Sequence, residues 1–399
     1  MALIRALRAR HEGRLALLAA VLIFALGALT AAGCGDDDDG GGNGDGGEAS
    51  NAAADCTASI GVMAPITGDA AELGEEQRNW AQFGLDRFNK ENGTKLKLVE
   101  GDTQLDPGQA STVAQEFVSN DAIVAVVGPA GSQEVEAAGP LFDRAGIGFV
   151  SQSATATELT ESGDYPTFSR VVPQDSVQGP TDAKYIIDNL KAKKVLIVDD
   201  QTSYSTGIAD VLEDELKKGG VQTSRESVNQ KQTDFSAIVS KISGDTDVVF
   251  LPWQIAANAQ QLGKQMQEQG KDAVIFGSDG LFSPDDFSIA GSYVSAFAPD
   301  INSIPESKPI GDAYKKKYGN YGTFGPPTLA AVQVVATAIL AACKEGDPTR
   351  EAVADQIRKV NMPQSILGQP IAFDDNGDIK GAKFFIFEIS KDGDFENVQ

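Results

Sequence analysis

Ala122-Ile123-Val124-Ala125-Val126-Val127-Gly128-Pro129-Ala130-Gly131-Ser132 is the stretch on which the fold turns. Six consecutive apolar residues, four of them β-branched, read as a short strand covered on both faces, the signature of a parallel sheet. Gly128-Pro129 ends the strand, and helical spacing resumes from Gln133 to Ala145. In such strand-loop-helix units ligands sit beyond the carboxyl ends of the strands, where helix N-termini leave N–H groups free.

The same pattern recurs on both sides. Strands are predicted at Ser59 to Ala64, Leu96 to Gly101, Gly148 to Ser151, Lys194 to Val198, Val248 to Leu251 and Val274 to Gly277. Asp106-Pro107 opens a helix to Val118, and helical spacing returns at Pro180 to Leu190 and Ala209 to Lys218, with Gly219-Gly220 as a stop. Leu329 to Ala342 reads as a strongly apolar helix and Arg350 to Val360 as an amphipathic one. Asp375-Asn376-Gly377-Asp378 predicts a hairpin turn between Ile371 to Phe373 and Lys383 to Ile389. From Cys56 onward about 340 residues remain, more than one core usually supports, so two α/β lobes are expected.

Residues 1–33 read as an export signal: Arg5, Arg8, Arg10 and Arg14 precede the apolar run Leu15 to Leu29, too short for a comfortable membrane span. Thr30-Ala31-Ala32-Gly33-Cys34 resembles the lipobox of bacterial lipoproteins, which implies acylation of Cys34 and an anchor on the outer side of a membrane. Residues 34–55, rich in Gly, Asp and Asn, have the composition of a flexible tether. Their run Asp36 to Asp39 lacks the alternating spacing of a calcium loop. In an oxidising compartment Cys56 and Cys343 form an even pair with no other partner, so a disulfide between them is expected.

A net charge of −24 argues against nucleic acid as a partner. The only histidine, His11, lies in the signal, which leaves the exported chain without His-based acid–base or nucleophile chemistry and without most zinc sites. Phosphate-loop, nucleophile-elbow and dinucleotide fingerprints are absent. Neither a metal, a cofactor nor an enzymatic activity is expected.

The polar chemistry gathers in loops after strands. Ser132 can offer its hydroxyl and amide to a carboxylate, or serve simply as a helix N-cap. The turn from Ser151 through Ser153, Ala154 and Thr155 to Thr160 is dense in hydroxyls that suit a zwitterion and equally suit a plain polar loop. Asp279, in Gly277-Ser278-Asp279-Gly280, is placed either to meet an ammonium or to shape a turn.

Taken in order, Met63-Ala64-Pro65-Ile66-Thr67-Gly68, the Gly128 to Ser132 loop, Ala154 to Thr160 and Gln178-Gly179-Pro180-Thr181-Asp182-Ala183-Lys184-Tyr185 resemble the leucine/isoleucine/valine-binding proteins of ABC importers. Tyr204 with Gly207, Phe235-Ser236, Ile289-Ala290-Gly291 and Asp378-Ile379-Lys380-Gly381 extend the likeness over nearly the whole chain from Ile60. It implies the type I periplasmic binding protein fold: two Rossmann-like α/β lobes with parallel central sheets, joined by a three-segment hinge. The lobes would comprise residues 56–174 with 300–372, and 175–299 with 373–399. It further implies a monomeric, non-enzymatic shuttle that hands an amino acid, with Leu, Ile and Val favoured, to a membrane permease.

By the same resemblance Ser132 holds the ligand carboxylate, Ser153 offers its carbonyl to the ammonium, and Thr155 meets the same head group beside Ala154. Asp279 and Tyr204 approach from the opposite lobe, and Leu73, Tyr204 and Trp253 are expected in the pocket wall. Leu73 stands where an aromatic ring is common, Asp279 replaces a Glu, and Leu105 and Gly131 occupy the positions of a family disulfide. Relatives in the superfamily also bind amides, urea and aromatic carboxylates, and a ligand-sensing module is the alternative of another class.

Overall fold

The computed structural model describes residues 56–399; the expected export signal, the expected acylation site Cys34 and the expected tether lie outside the described residues. The first sheet is built from β1 (Ser59–Ala64), α1 (Ala71–Asn92), β2 (Lys97–Asp102), α2 (Pro107–Ser119), β3 (Ile123–Val127), α3 (Ser132–Arg144), β4 (Gly148–Ser151), the single turn α4 (Glu158–Glu161) and β5 (Phe168–Arg170). Its strands run in the order β2-β1-β3-β4-β5, all parallel.

The chain then builds a second sheet with α5 (Asp175–Asp188), β6 (Lys194–Asp199), α6 (Ser203–Lys218), β7 (Gln222–Ser227), α7 (Ser236–Lys241), β8 (Val248–Leu251), α8 (Ala256–Glu268), β9 (Val274–Gly277) and β10 (Tyr293–Ala296). Next come α9 (Lys308–Tyr318), α10 (Gly325–Glu345) and α11 (Arg350–Ile357), and the last two cover the first sheet at β3 and β4. After the small ladder of β11 (Asn361–Met362) and β12 (Ile371–Ala372), the strands β13 (Phe385–Ile389) and β14 (Phe395–Asn397) extend the second sheet antiparallel from β10.

Period-two alternation divides even the all-apolar strands between two cores. On β6, Val195 and Ile197 enter one buried cluster, while Leu196 and Val198 enter the cluster on the other face. On β1, Ile60 and Val62 pack with α1 and α10, whereas Met63 joins Phe117 and Phe142 under α2 and α3. Helix α10 is long and apolar enough to cross a membrane, yet most of it is buried in the first of these cores.

Several boundaries differ from the expected ones for local reasons. Helix α5 starts at Asp175 and carries Pro180 inside it as its sixth residue, where the missing N–H removes one helical hydrogen bond without ending the helix. Helix α6 starts at Ser203, where the Thr202 hydroxyl accepts from the Ser205 amide and caps the helix. Helix α1 is not among the helices expected from spacing. Its buried side includes Gly74 and Gln77, and a Cβ at Gly74 would fall 2.1 Å from the Pro65 carbonyl oxygen.

The hairpin expected around Asp375 to Asp378 is corrected. The turn forms, but only a single bridge, Phe373 with Ile379, flanks it. Ile371–Ala372 pairs instead with Asn361–Met362, and Phe385–Ile389 joins the second sheet between β10 and β14, because that position buries Ile386 and Ile389.

Cys56 and Cys343 are joined, Cα to Cα 5.7 Å, tying the segment before β1 to α10 across 287 residues of sequence. Replacing both by Ser is expected to lower unfolding free energy by about 2–4 kcal/mol, since so long a loop loses its constraint in the unfolded chain. Denaturant titration measures this, and an unchanged midpoint would contradict it.

Candidate functional site

The carboxyl ends of β3 and β4 carry the two hydroxyl-rich loops. Gly128, at φ +111, tucks the first loop against β1; a Cβ there would meet the Met63 carbonyl oxygen at 2.4 Å. The Ser151 hydroxyl donates to the Pro129 carbonyl at 2.6 Å and accepts from the Ala154 amide at 2.9 Å. Ser153 Oγ donates to the Ala130 carbonyl at 2.8 Å and accepts from Gln77 Nε2 at 3.0 Å. Ser132 opens α3, and its hydroxyl accepts from the Ala156 amide at 3.2 Å. The loops thus position each other, with Ser132, Ser153, Ala154 and Thr155 side by side and buried.

Arg170, at the end of β5, is a site-forming residue that the sequence reading does not single out. Its fully buried guanidinium pairs with Asp378, donates to the carbonyls of Ala156 at 2.7 Å and Ala154 at 3.3 Å, and donates to Thr160 Oγ1 at 2.6 Å. One planar fork therefore holds both ends of the hydroxyl loop. An Arg closing a short buried strand, Phe168-Ser169-Arg170, is the only local signal of it.

Opposite these loops stand the ends of β6 and β9. Tyr204 lies in the first turn of α6, and its hydroxyl bonds to Ser278 Oγ at 2.7 Å and Asp279 Oδ1 at 2.8 Å. Two further carboxylates from α5 join them. Asp182 accepts from Ser295 Oγ at 3.0 Å, while Ser295 accepts from Gln178 Nε2 at 2.7 Å. Asp175 has both carboxylate oxygens buried without a hydrogen bond among the described residues. The sequence reading missed Asp175 and Asp182 as site residues, although Asp182 stands within the quoted Gln178 to Tyr185 mark.

These acids crowd one another in a region shielded from water. Burial pushes Asp279 up to about 6, only partly offset by Tyr204 and Gln178. Burial, then the neighbouring Asp279, pushes Asp175 up to about 8, and Asp182 is raised well above the usual range for the same reasons. The folded protein therefore binds more protons than the unfolded chain between roughly pH 4 and pH 8, so stability falls as pH rises through that window. For Asp279 alone the effect is about 3 kcal/mol. Unliganded protein is expected to melt at higher temperature at pH 5 than at pH 8, read by calorimetry; the reverse order would contradict the assignment.

The two sides meet closely. Gln133 Nε2 donates to Gln254 Oε1 at 2.9 Å, Lys231 reaches Asp106 at 3.6 Å, and Ser283 bonds Glu72. Ser132 and Thr155 are 0% exposed, Tyr204 1% and Asp279 2%, so the arrangement is shut to solvent. Leu73 lines a narrow cavity of 30 Å³ at this seam, together with Gln254, Gly280 and Phe324. Trp253 does not reach it with its ring, which packs on Phe235 in the second core and donates from Nε1 to the Val198 carbonyl at 2.7 Å. Beside the loops, Leu105 lies against Gly131, 2.9 Å from where a Cβ would stand. Among the described residues no group of His, Cys, Asp and Glu converges to hold a metal ion.

A periplasmic binding protein family profile matches residues 57–394. The chain is 31% identical over 357 residues to a leucine-, isoleucine-, valine-, threonine-, and alanine-binding protein of Pseudomonas aeruginosa, covering 87% of this chain and 93% of that one. It is 30% identical over 344 residues to a Leu/Ile/Val-binding protein of Escherichia coli, covering 84% and 91%. Among solved structures, a branched-chain amino acid transporter substrate binding protein of Streptococcus pneumoniae in complex with isoleucine superposes with a TM-score of 0.77 at 27% identity, covering 86% and 99%. A leucine binding protein from Thermotoga maritima shares the fold with a TM-score of 0.78 at 23% identity, covering 86% and 98%. The chain belongs to the periplasmic binding protein family, with the type I architecture and a substrate-binding role.

Proposed function

We propose that the protein captures an L-α-amino acid between its two sheets and delivers it to an ABC importer permease. The observation that carries this reading is the opposition of two poles in one closed seam. Hydroxyls and helix N-terminal amides face the buried carboxylates of Asp175, Asp182 and Asp279, which form no salt bridge among the described residues. A zwitterion answers both: its carboxylate suits Ser132 and Thr155, and its ammonium suits Asp279 with Tyr204 and the Ser153 carbonyl. Leu73 supplies apolar wall at the side-chain end.

The lobes, taken as residues 56–174 with 300–372 and 175–299 with 373–399, must part to admit the ligand, breaking the Gln133–Gln254 and Glu72–Ser283 contacts. Binding then shifts the balance toward the closed form, because only that form makes both sets of contacts. The relatives' specificities put Leu, Ile and Val first among the ligands to test. Export through residues 1–33 and acylation of Cys34 would hold a monomeric shuttle on the outer membrane surface near the permease. No catalytic role is proposed for any residue.

Isothermal titration of protein refolded to strip bound ligand tests the reading. One-to-one binding of leucine, isoleucine or valine, with N-acetyl-leucine silent, is the expected result. N-acetyl-leucine bound as tightly as leucine would remove the ammonium from the scheme.

A further inference from the structure

Beyond the seam cavity lies a chamber of 660 Å³ between the two sides, bounded by Pro299 and by α1, α9 and the β14 edge. Chamber and cavity share Glu72, Glu76, Phe282, Pro284 and Gly322 as a common wall, and Gly280, next to Asp279, also lines the cavity. Six carboxylates line the chamber against a single basic residue, Lys315.

Several observations go beyond that charge imbalance. Thr323, another lining residue, is 4% exposed and its buried hydroxyl has no partner among the described residues. Glu72 accepts a hydrogen bond from Ser283 Oγ at 2.5 Å, and burial, then the nearby charges of Asp286 and Asp285, push its pKa up, a crowding of negative charge that a cation would relieve. Tyr321 lines the chamber, and the Lys315 ammonium already stands 5.2 Å from its ring centre.

Resting on the amino-acid reading above, we infer that the side-chain end of this site accepts a cationic group, so that arginine and lysine are ligands and their charge adds to affinity. A narrow seam suits an unbranched methylene stem, and the carboxylates of Glu72 and Glu76 beyond it suit a guanidinium or ammonium. Burial supports this at Glu76, pushing its pKa up to about 7, which a bound cation would reverse.

Titration of the whole protein with L-arginine against L-citrulline, and L-lysine against L-norleucine, with L-leucine as reference, tests the inference. The charged member of each pair is expected to bind at least about tenfold more tightly, the ratio that 1.4 kcal/mol of charge pairing produces. Glu76→Gln should narrow that gap to about threefold or less, since it removes the charge while keeping an acceptor for the Gly325 amide. Glu72→Gln, in the first turn of α1, should do the same and guards against a folding defect in the first variant. Equal binding within each pair, or a gap that survives both variants, overturns the inference and leaves the amino-acid reading standing if leucine binds. Silence from leucine, arginine and lysine alike overturns both.

Discussion

Asp279→Asn is expected to weaken amino-acid binding by about 30-fold to 1,000-fold or more, since truncating one partner of a buried, hydrogen-bonded charge pair costs about 2–5 kcal/mol. Asn keeps the shape and a carbonyl for Tyr204 but carries no charge for the ammonium. The variant should also melt higher than the parent without ligand, because it removes one buried acid from a crowded group whose burial opposes ionisation. Calorimetry for stability and titration for affinity read the two effects separately. Stability and affinity falling together would mean that Asp279 is structural; an unchanged affinity would remove it from the site.

Arg170→Met is expected to move stability the other way, a loss of about 3–5 kcal/mol, because it leaves Asp378 as a buried charge without its partner. Met fills much of the volume, so the loss reports the charge network rather than a cavity. The released carbonyls of Ala154 and Ala156 free the loop that carries Thr155, and ligand affinity should fall with stability. The double variant Arg170→Met with Asp378→Leu, which removes both charges, should recover a good part of the stability while affinity stays low. Equal stability of the two variants would show that the pair contributes little, and full recovery of affinity would show that the loop needs no guanidinium.

Most of the architecture was legible in the residues. Strands such as Gly148–Ser151, Val248–Leu251 and Val274–Gly277 are short apolar runs bounded by turn residues, and the structure has them at those bounds. Helix starts were less legible: α6 begins at a Thr202 cap, and α1 hides its period behind buried Gly74 and Gln77. The Asp375 to Asp378 turn misled because a local turn signal carries no information on which strands lie beside it.

The candidate site was legible only in part. Ser132, Ser153, Thr155, Tyr204 and Asp279 were named from loop position and resemblance, and the structure gathers the first three on one side and the last two on the other. Trp253 was named as a wall residue, yet its ring turns into the core, because the strand before it continues the alternation of Val249 and Leu251. Asp175 carries no local mark that separates it from a surface charge, Asp182 only its place in the Gln178 to Tyr185 stretch, and Arg170 only its place at the end of a short strand.

By itself the sequence determined the alternation of strand and helix, the placing of hydroxyl loops after β3 and β4, and the absence of histidine chemistry from the residues after His11. Those features follow from side-chain period, turn chemistry and composition, all of them local. Only the tertiary structure decided that Asp175, Asp182, Tyr204 and Asp279 share one buried volume and that Arg170 pins the opposing loop. It also decided that six carboxylates face a chamber with one lysine. The reason is physical: desolvation and charge coupling depend on which distant segments pack together, and no spacing along the chain encodes that distance.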